Sequence, residues 1–70
     1  MTHAEAVTVD ARGMRCPWPA LRLARAMRDA DAAILLADDP RAGREAAALA
    51  AEHGWTIAAE GEARWRVCRG

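Results

Sequence analysis

One cysteine, set between a glycine-containing loop and two prolines in Asp10-Ala11-Arg12-Gly13-Met14-Arg15-Cys16-Pro17-Trp18-Pro19, is where this chain most readily builds chemistry. A residue before proline is pushed out of the helical backbone region, so Cys16 reads as the N-cap of a helix whose first position is Pro17. Proline is tolerated there because the first amides of a helix have no partner within it, and Pro19 falls in another such slot. The spacing therefore predicts that the Trp18 N–H points at the Cys16 sulfur, in the manner of a capping oxygen. An anion at a helix start gains about 0.3–1 kcal/mol. A free cysteine with pKa about 8.5 is roughly 3% thiolate at neutral pH, and a fall of one unit would raise this to about a quarter. Arg12 and Arg15 would add positive charge, and Gly13 permits a tight or left-handed loop. The expectation is a thiol of lowered pKa that can attack sulfur without a general base. Asp10 reads as a brace for the loop, since a carboxylate beside the sulfur would raise its pKa.

The elements that must position this loop follow from periodicity. Residues 6–10 alternate, with Val7 and Val9 on one side, as a short half-buried strand does. Residues 17–30 have helical spacing: Leu21, Ala24 and Met27 line one face, with Leu23 and Ala20 at its margin. Arg22, Arg25 and Arg28 lie along the outside. They read as a solvated row or as a docking surface for an acidic partner. Residues 32–37 form a nearly continuous apolar run, the mark of a central strand. Asp39 then reads as an N-cap and Pro40 as the first position of a second helix. That helix runs to His53, is stopped by Gly54, and buries Ala42, Ala46, Ala50 and Leu49. His53 reads as a residue facing the last carbonyls. Residues 55–60 and 63–68 alternate and are joined through Glu60-Gly61-Glu62, a hairpin. The order βαβαββ, with right-handed crossovers, implies an α/β (α+β) two-layer sandwich: a four-stranded mixed sheet with two helices on one face.

Composition narrows the function classes. Seventy residues allow one domain, residues 1–70, with a thin core, and the 53% hydrophobic content is largely alanine. With no Phe or Tyr, the three tryptophans carry much of the large apolar burial. A formal net charge of +0 argues against a nucleic-acid or membrane-surface binder. No apolar run approaches the roughly 18 residues of a membrane span, and residues 1–5 carry no secretory pattern and are expected to fray. A cytoplasmic, reducing location is the expectation, in which two cysteines do not make a structural staple. Cys16, Cys68, His3 and His53 show no metal-ligand spacing.

The run Asp10-x-Arg12-Gly13-x-x-Cys16-Pro17-x-Pro19, the Asp38-Asp39-Pro40 helix start and the closing Trp65-Arg66-Val67 strand together resemble the TusA family of sulfur-carrier proteins, also called SirA-like. The resemblance implies that Cys16 accepts sulfane sulfur as a persulfide from a cysteine desulfurase or rhodanese-type donor. The sulfur would then pass to an acceptor protein in tRNA thiolation, molybdenum-cofactor maturation or sulfur metabolism. It implies a monomeric carrier type of sulfurtransferase, with no metal or organic cofactor and no direct nucleic-acid contact. The supporting residues would be Asp10, Arg12, Gly13, Arg15, Pro17, Trp18 and Pro19. Where the family usually has a glycine after the first helix, this chain has Asp29-Ala30-Asp31-Ala32, so that turn forms differently or the helix runs longer. Trp18 is either a partner contact or folds back on Met14. Two rivals remain: a two-cysteine redox protein using Cys68, if the sulfurs can approach, and a regulatory binding module without covalent chemistry.

Overall fold

Short alternating strands and alanine-rich helices, separated by short loops, make six elements. A computed structural model describes residues 6–69; the expected fraying of residues 1–5, and with it His3, falls outside them. The elements are β1 (Val7–Asp10), α1 (Trp18–Ala26), β2 (Ala32–Leu36), α2 (Ala42–His53), β3 (Thr56–Gly61) and β4 (Arg64–Cys68). β1 runs parallel to β2, β4 pairs antiparallel with β2, and β3 closes the sheet as a hairpin partner of β4, giving the order β1-β2-β4-β3. This is the α+β fold with a mixed sheet that the pattern predicts.

The core is one cluster in which Val9, Leu35 and Val67 of the sheet meet Leu23 and Met27, with Ala33, Ala42 and Ala46 closing the gaps. On α1 the buried residues are Pro19 and Leu23, and Met27 follows at the next four-residue step. Leu21, expected inside, is 51% exposed, because the inward stripe is set by Pro19-Leu23-Met27 and Leu21 lies off it. The helix also ends at Ala26 instead of residue 30. The amides of Arg28 and Asp29 turn back to the carbonyls of Arg25 and Ala26, and the Arg69 guanidinium donates to the carbonyls of Met27 and Arg28. A cation from beyond β4 thus satisfies carbonyls at the end of α1.

α2 begins at Ala42, two residues later than Pro40. A turn precedes it, in which the Asp39 carbonyl accepts the Ala42 N–H at 2.9 Å and its carboxylate accepts the Arg41 N–H at 2.8 Å. Asp39 therefore supplies a capping bond from just outside the regular helix. Ala42, Ala46 and Ala50 are buried, and Gly54 ends the helix in the left-handed conformation at φ 74°. His53 stacks on Trp55, with ring centroids 4.5 Å apart, instead of serving the terminal carbonyls. The hairpin connection is Glu62-Ala63, not Glu60-Gly61-Glu62: a bulge between Ala59 and Gly61 inserts Glu60, and Ala63 takes φ 57°. That bulge aims Glu60 across the strand to Arg66 (2.7 Å) and Arg64 (3.6 Å).

Gly43, on the first turn of α2, lies against the Trp65 indole so closely that a Cβ there would stand 2.7 Å from the ring. Gly43→Ala gains at most about 1 kcal/mol of helix propensity but faces roughly 1–3 kcal/mol of overpacking against a rigid ring. The expected outcome is a lower Tm in thermal unfolding; a raised Tm would show that the indole yields.

Candidate functional site

Because β1 and β2 are parallel, the helices that follow them start at the same end of the sheet, and the two loops meet there. Ala11 continues the β1–β2 ladder by one bond, its N–H reaching the Leu36 carbonyl at 2.7 Å. Gly13 turns the chain at φ 82°, and the Met14 N–H closes the turn onto the Ala11 carbonyl at 3.1 Å. Two carboxylates from the second loop then hold the first. Asp38 accepts the Gly13 N–H at 2.9 Å, and Asp39 accepts the Cys16 N–H at 3.0 Å. Cys16 is fixed through its own backbone amide and is half-buried, neither sealed nor fully open.

The start of α1 departs from expectation. The Cys16–Pro17 peptide is cis, Pro17 occupies the cap position with no side-chain bond, and the helix begins at Trp18. The Trp18 N–H goes to the Arg15 carbonyl at 2.8 Å and not to the Cys16 sulfur. The amide expected to serve the thiol is thus consumed by a backbone turn.

The electrostatics of the thiol are reversed as well. Burial pushes it up from its ordinary value, the Glu45 carboxylate beside it pushes further, and Asp39 adds to this; Arg41 alone pulls it down. A helix start gives an anion only about 0.3–1 kcal/mol. Partial burial and two nearby carboxylates outweigh that. Arg12 does not help, because Asp10 takes it: the guanidinium spans both Asp10 oxygens at 2.9 and 2.8 Å, and the Arg12 N–H reaches the same carboxylate at 3.2 Å. Arg15 is exposed and is not among the groups that act on the sulfur. The active cation is Arg41, which also lies 3.5 Å from Asp39.

The remaining sequence-singled residues fall on either side of this junction. Trp18 is 59% exposed and, with Leu21 one turn along α1, presents apolar surface to solvent near the cysteine. Pro19 is buried under α1 as a core residue. Cys68 pairs with Ala32 at the start of β2, whereas the Cys16 loop leaves β1 opposite Leu36 at its end. Four residues of strand, roughly 13 Å, separate those levels, beyond the ~7 Å Cα limit of a disulfide. Both cysteines are free. Glu45 and Arg41 were not legible as site residues; their only signal was the helical step that places the first turn of α2 next to the start of α1. Among the described residues no His, Cys, Asp and Glu side chains gather into a metal set, and no helix is long and apolar enough to cross a membrane.

The family model described as Sulfurtransferase TusA matches residues 7–68. The chain belongs to the TusA sulfurtransferase family. No curated protein matches it in a direct comparison. The TusA match spans β1 through β4, so the junction of the two loops lies wholly inside it.

Two outcomes follow from the charges. Glu45→Gln removes the larger of the two carboxylate effects on the sulfur, so Cys16 alkylation near neutral pH should speed up. Each unit of fall in thiol pKa raises the thiolate fraction up to about tenfold. An unchanged alkylation rate would show that Glu45 does not act on the sulfur. In acid, the loop should loosen. The Arg41 amide, and after it the Cys16 amide, hold Asp39 below its ordinary value, and Arg12 lowers Asp10 to about 2. A folded pKa below the unfolded one stabilises fully above the unfolded value and is lost as pH falls through the folded value. For Asp10 that window runs from about pH 4 to about pH 2. Amide exchange at Cys16 should rise as the pH falls through the lowered Asp39 value and that carboxylate gives up the Cys16 N–H.

Proposed function

We propose that this protein is a cytoplasmic sulfur carrier in which Cys16 bears the cargo as a persulfide, with a cysteine desulfurase or rhodanese-type protein as donor and a second protein as acceptor. The observation that carries this reading is the placement of Cys16: half-buried, pinned through its N–H by Asp39, at the meeting of two helix starts, with exposed Trp18 and Leu21 beside it. A relay needs a sulfur that is held in place yet approachable by two different proteins, and the rim position meets that need.

The step is an exchange. The Cys16 sulfur attacks the outer sulfur of the donor persulfide, a new S–S bond forms to Cys16, the S–S bond within the donor breaks, and the donor thiolate leaves. No net oxidation is required, since one S–S bond replaces another. Because Cys16 is held protonated, its proton must leave as attack begins, and Glu45 is the carboxylate placed to take it; the departing donor thiolate then recovers a proton. Delivery to the acceptor reverses the roles, with an acceptor thiol attacking the sulfur carried on Cys16. Asp10, Arg12 and Gly13 support the site by shaping the loop, Pro17 and Pro19 by fixing the start of α1.

Intact mass after incubation with a cysteine desulfurase and cysteine tests this directly. One added sulfur, removed by reductant and absent in Cys16→Ser, is expected; a gain that survives the substitution would move the site to Cys68. Trp18→Ala should slow desulfurase-mediated loading about tenfold or more, as loss of an aromatic anchor does, while loading from inorganic polysulfide continues unchanged. Equal loss by both routes would mean that Trp18 supports the loop and not the encounter.

A further inference from the structure

The free edge of β1 is unlike the rest of the sheet rim. β1 pairs with β2 on one side, and among the described residues nothing pairs with the other. The Ala11 N–H points to β2, so by the alternation of a parallel ladder Val9 and Val7 point there too, and the N–H and C=O of Thr8 and Asp10 face outward. Above this edge, between β1 and α1, runs a groove of about 570 Å³ lined by Val7, Val9, Arg22, Arg25, Ala26 and Asp29. Its floor is apolar, and Val7 is 42% exposed within it. Arg22 and Arg25 are exposed and make no ion pair among the described residues.

We propose that this edge and groove bind an extended, acidic segment of a partner protein as an added strand, with its backbone on Thr8 and Asp10 and its inward acidic side chains on Arg22 and Arg25. Edge pairing supplies affinity through the main chain, and the side chains that alternate inward supply selectivity. A four-residue strand accommodates a segment of about four or five residues. Asp29 marks one end of the groove, so the acidic residues belong toward Arg22 and Arg25, with small apolar ones over Ala26. A free phosphate or nucleic-acid backbone would use the two arginines but neither the outward amides nor the valine floor.

A second copy of this chain fits poorly. Two-fold pairing of β1 with itself would bring Arg22 and Arg25 of both copies to one seam, and the nearby Asp10 that could offset them is already spanned by Arg12. The segment therefore belongs to another protein. That this protein is a sulfur-transfer partner rests on the reading of Cys16 above; the binding itself does not.

The test is a titration of the isotope-labelled full chain with a blocked Glu-Val-Glu-Val-Ala peptide, whose first, third and fifth side chains share the inward face, followed by amide NMR, with a Lys-Val-Lys-Val-Ala peptide as the charge-swapped control. Saturable shifts are expected at Thr8, Val9, Asp10 and along Arg22 to Ala26, with none from the lysine peptide. The double variant Arg22→Glu, Arg25→Glu should weaken binding about tenfold, the scale of reversing two exposed charge pairs. It alters only exposed positions, so its fold can be verified from the same spectrum, and Thr8→Pro removes an outward N–H as a second check on the edge. Shifts elsewhere, equal binding of both peptides, or undiminished binding by the charge-reversed variant would overturn the proposal. So would concentration-dependent changes at the β1 edge without peptide, which would make a second copy the occupant. Polysulfide loading of Cys16 should be the same in the charge-reversed variant and the unaltered protein, so a failure of the edge and a failure of the carrier reading give different results.

Discussion

The site depends on two carboxylates accepting backbone amides from a loop more than twenty residues away. Asp38 takes the Gly13 N–H and Asp39 the Cys16 N–H, bridging 25 and 23 residues of sequence. Amides that leave a strand and have not yet entered a helix lack partners, and a buried or half-buried one is costly to leave unmade. Here the second βα loop supplies the acceptors for the first. The parallel pairing of β1 and β2 makes this possible, because it brings both loops to one end of the sheet. Placement of the cysteine is thereby a property of the whole β1-α1-β2-α2 unit and not of its own loop alone.

Burial, Glu45 and one of these two carboxylates, Asp39, set the thiol's resting state. A helix start favours an anion, but Asp39 and Glu45 stand on the α2 side of the sulfur, and with partial burial they keep it protonated. A protonated thiol is a poor nucleophile and is slow to meet adventitious oxidants, whereas sulfur exchange needs the thiolate only while a partner is present. The proposed relay is consistent with this ordering: reactivity would be suppressed at rest and recovered by transfer of a proton to Glu45. The cysteine and the acids come from different βα units, the cysteine from the first loop and the acids from the second loop (Asp39) and the first turn of α2 (Glu45).

Much of the architecture could be read from the chain because its signals are local. Val7 and Val9 alternate, Ala42, Ala46 and Ala50 repeat at four, and Gly54 stops a helix where a left-handed residue is needed. Cys16 stood out because a cysteine between a glycine loop and two prolines is a rare local arrangement. What escaped was non-local. The carbonyls just past the end of α1 are served by Arg69, 42 and 41 residues on, whose guanidinium takes those of Met27 and Arg28. The direction of the thiol shift is decided by Glu45, invisible until α2 is laid beside α1. Arg12 and Arg15 were given weight by sequence distance alone, yet Arg12 belongs to Asp10 and the cation that reaches the sulfur is Arg41. The start of α1 also differs, because the Trp18 N–H donates to the Arg15 carbonyl at 2.8 Å and not to the sulfur.

The weak-looking composition of α2 is what brings these groups within reach. Its buried face is Ala42, Ala46 and Ala50, and the neighbouring Gly43 lets the Trp65 ring lie directly on the helix backbone. Larger residues would bury more apolar area, about 25 cal/mol per Å², but would lift the helix off the sheet and carry Glu45 and Arg41 away from the sulfur with it. The helix therefore contributes little to the core, and Val9, Leu23, Met27, Leu35 and Val67 carry it instead. A thin second helix is the cost of a close second loop, and the close second loop is what holds Cys16 through its amide.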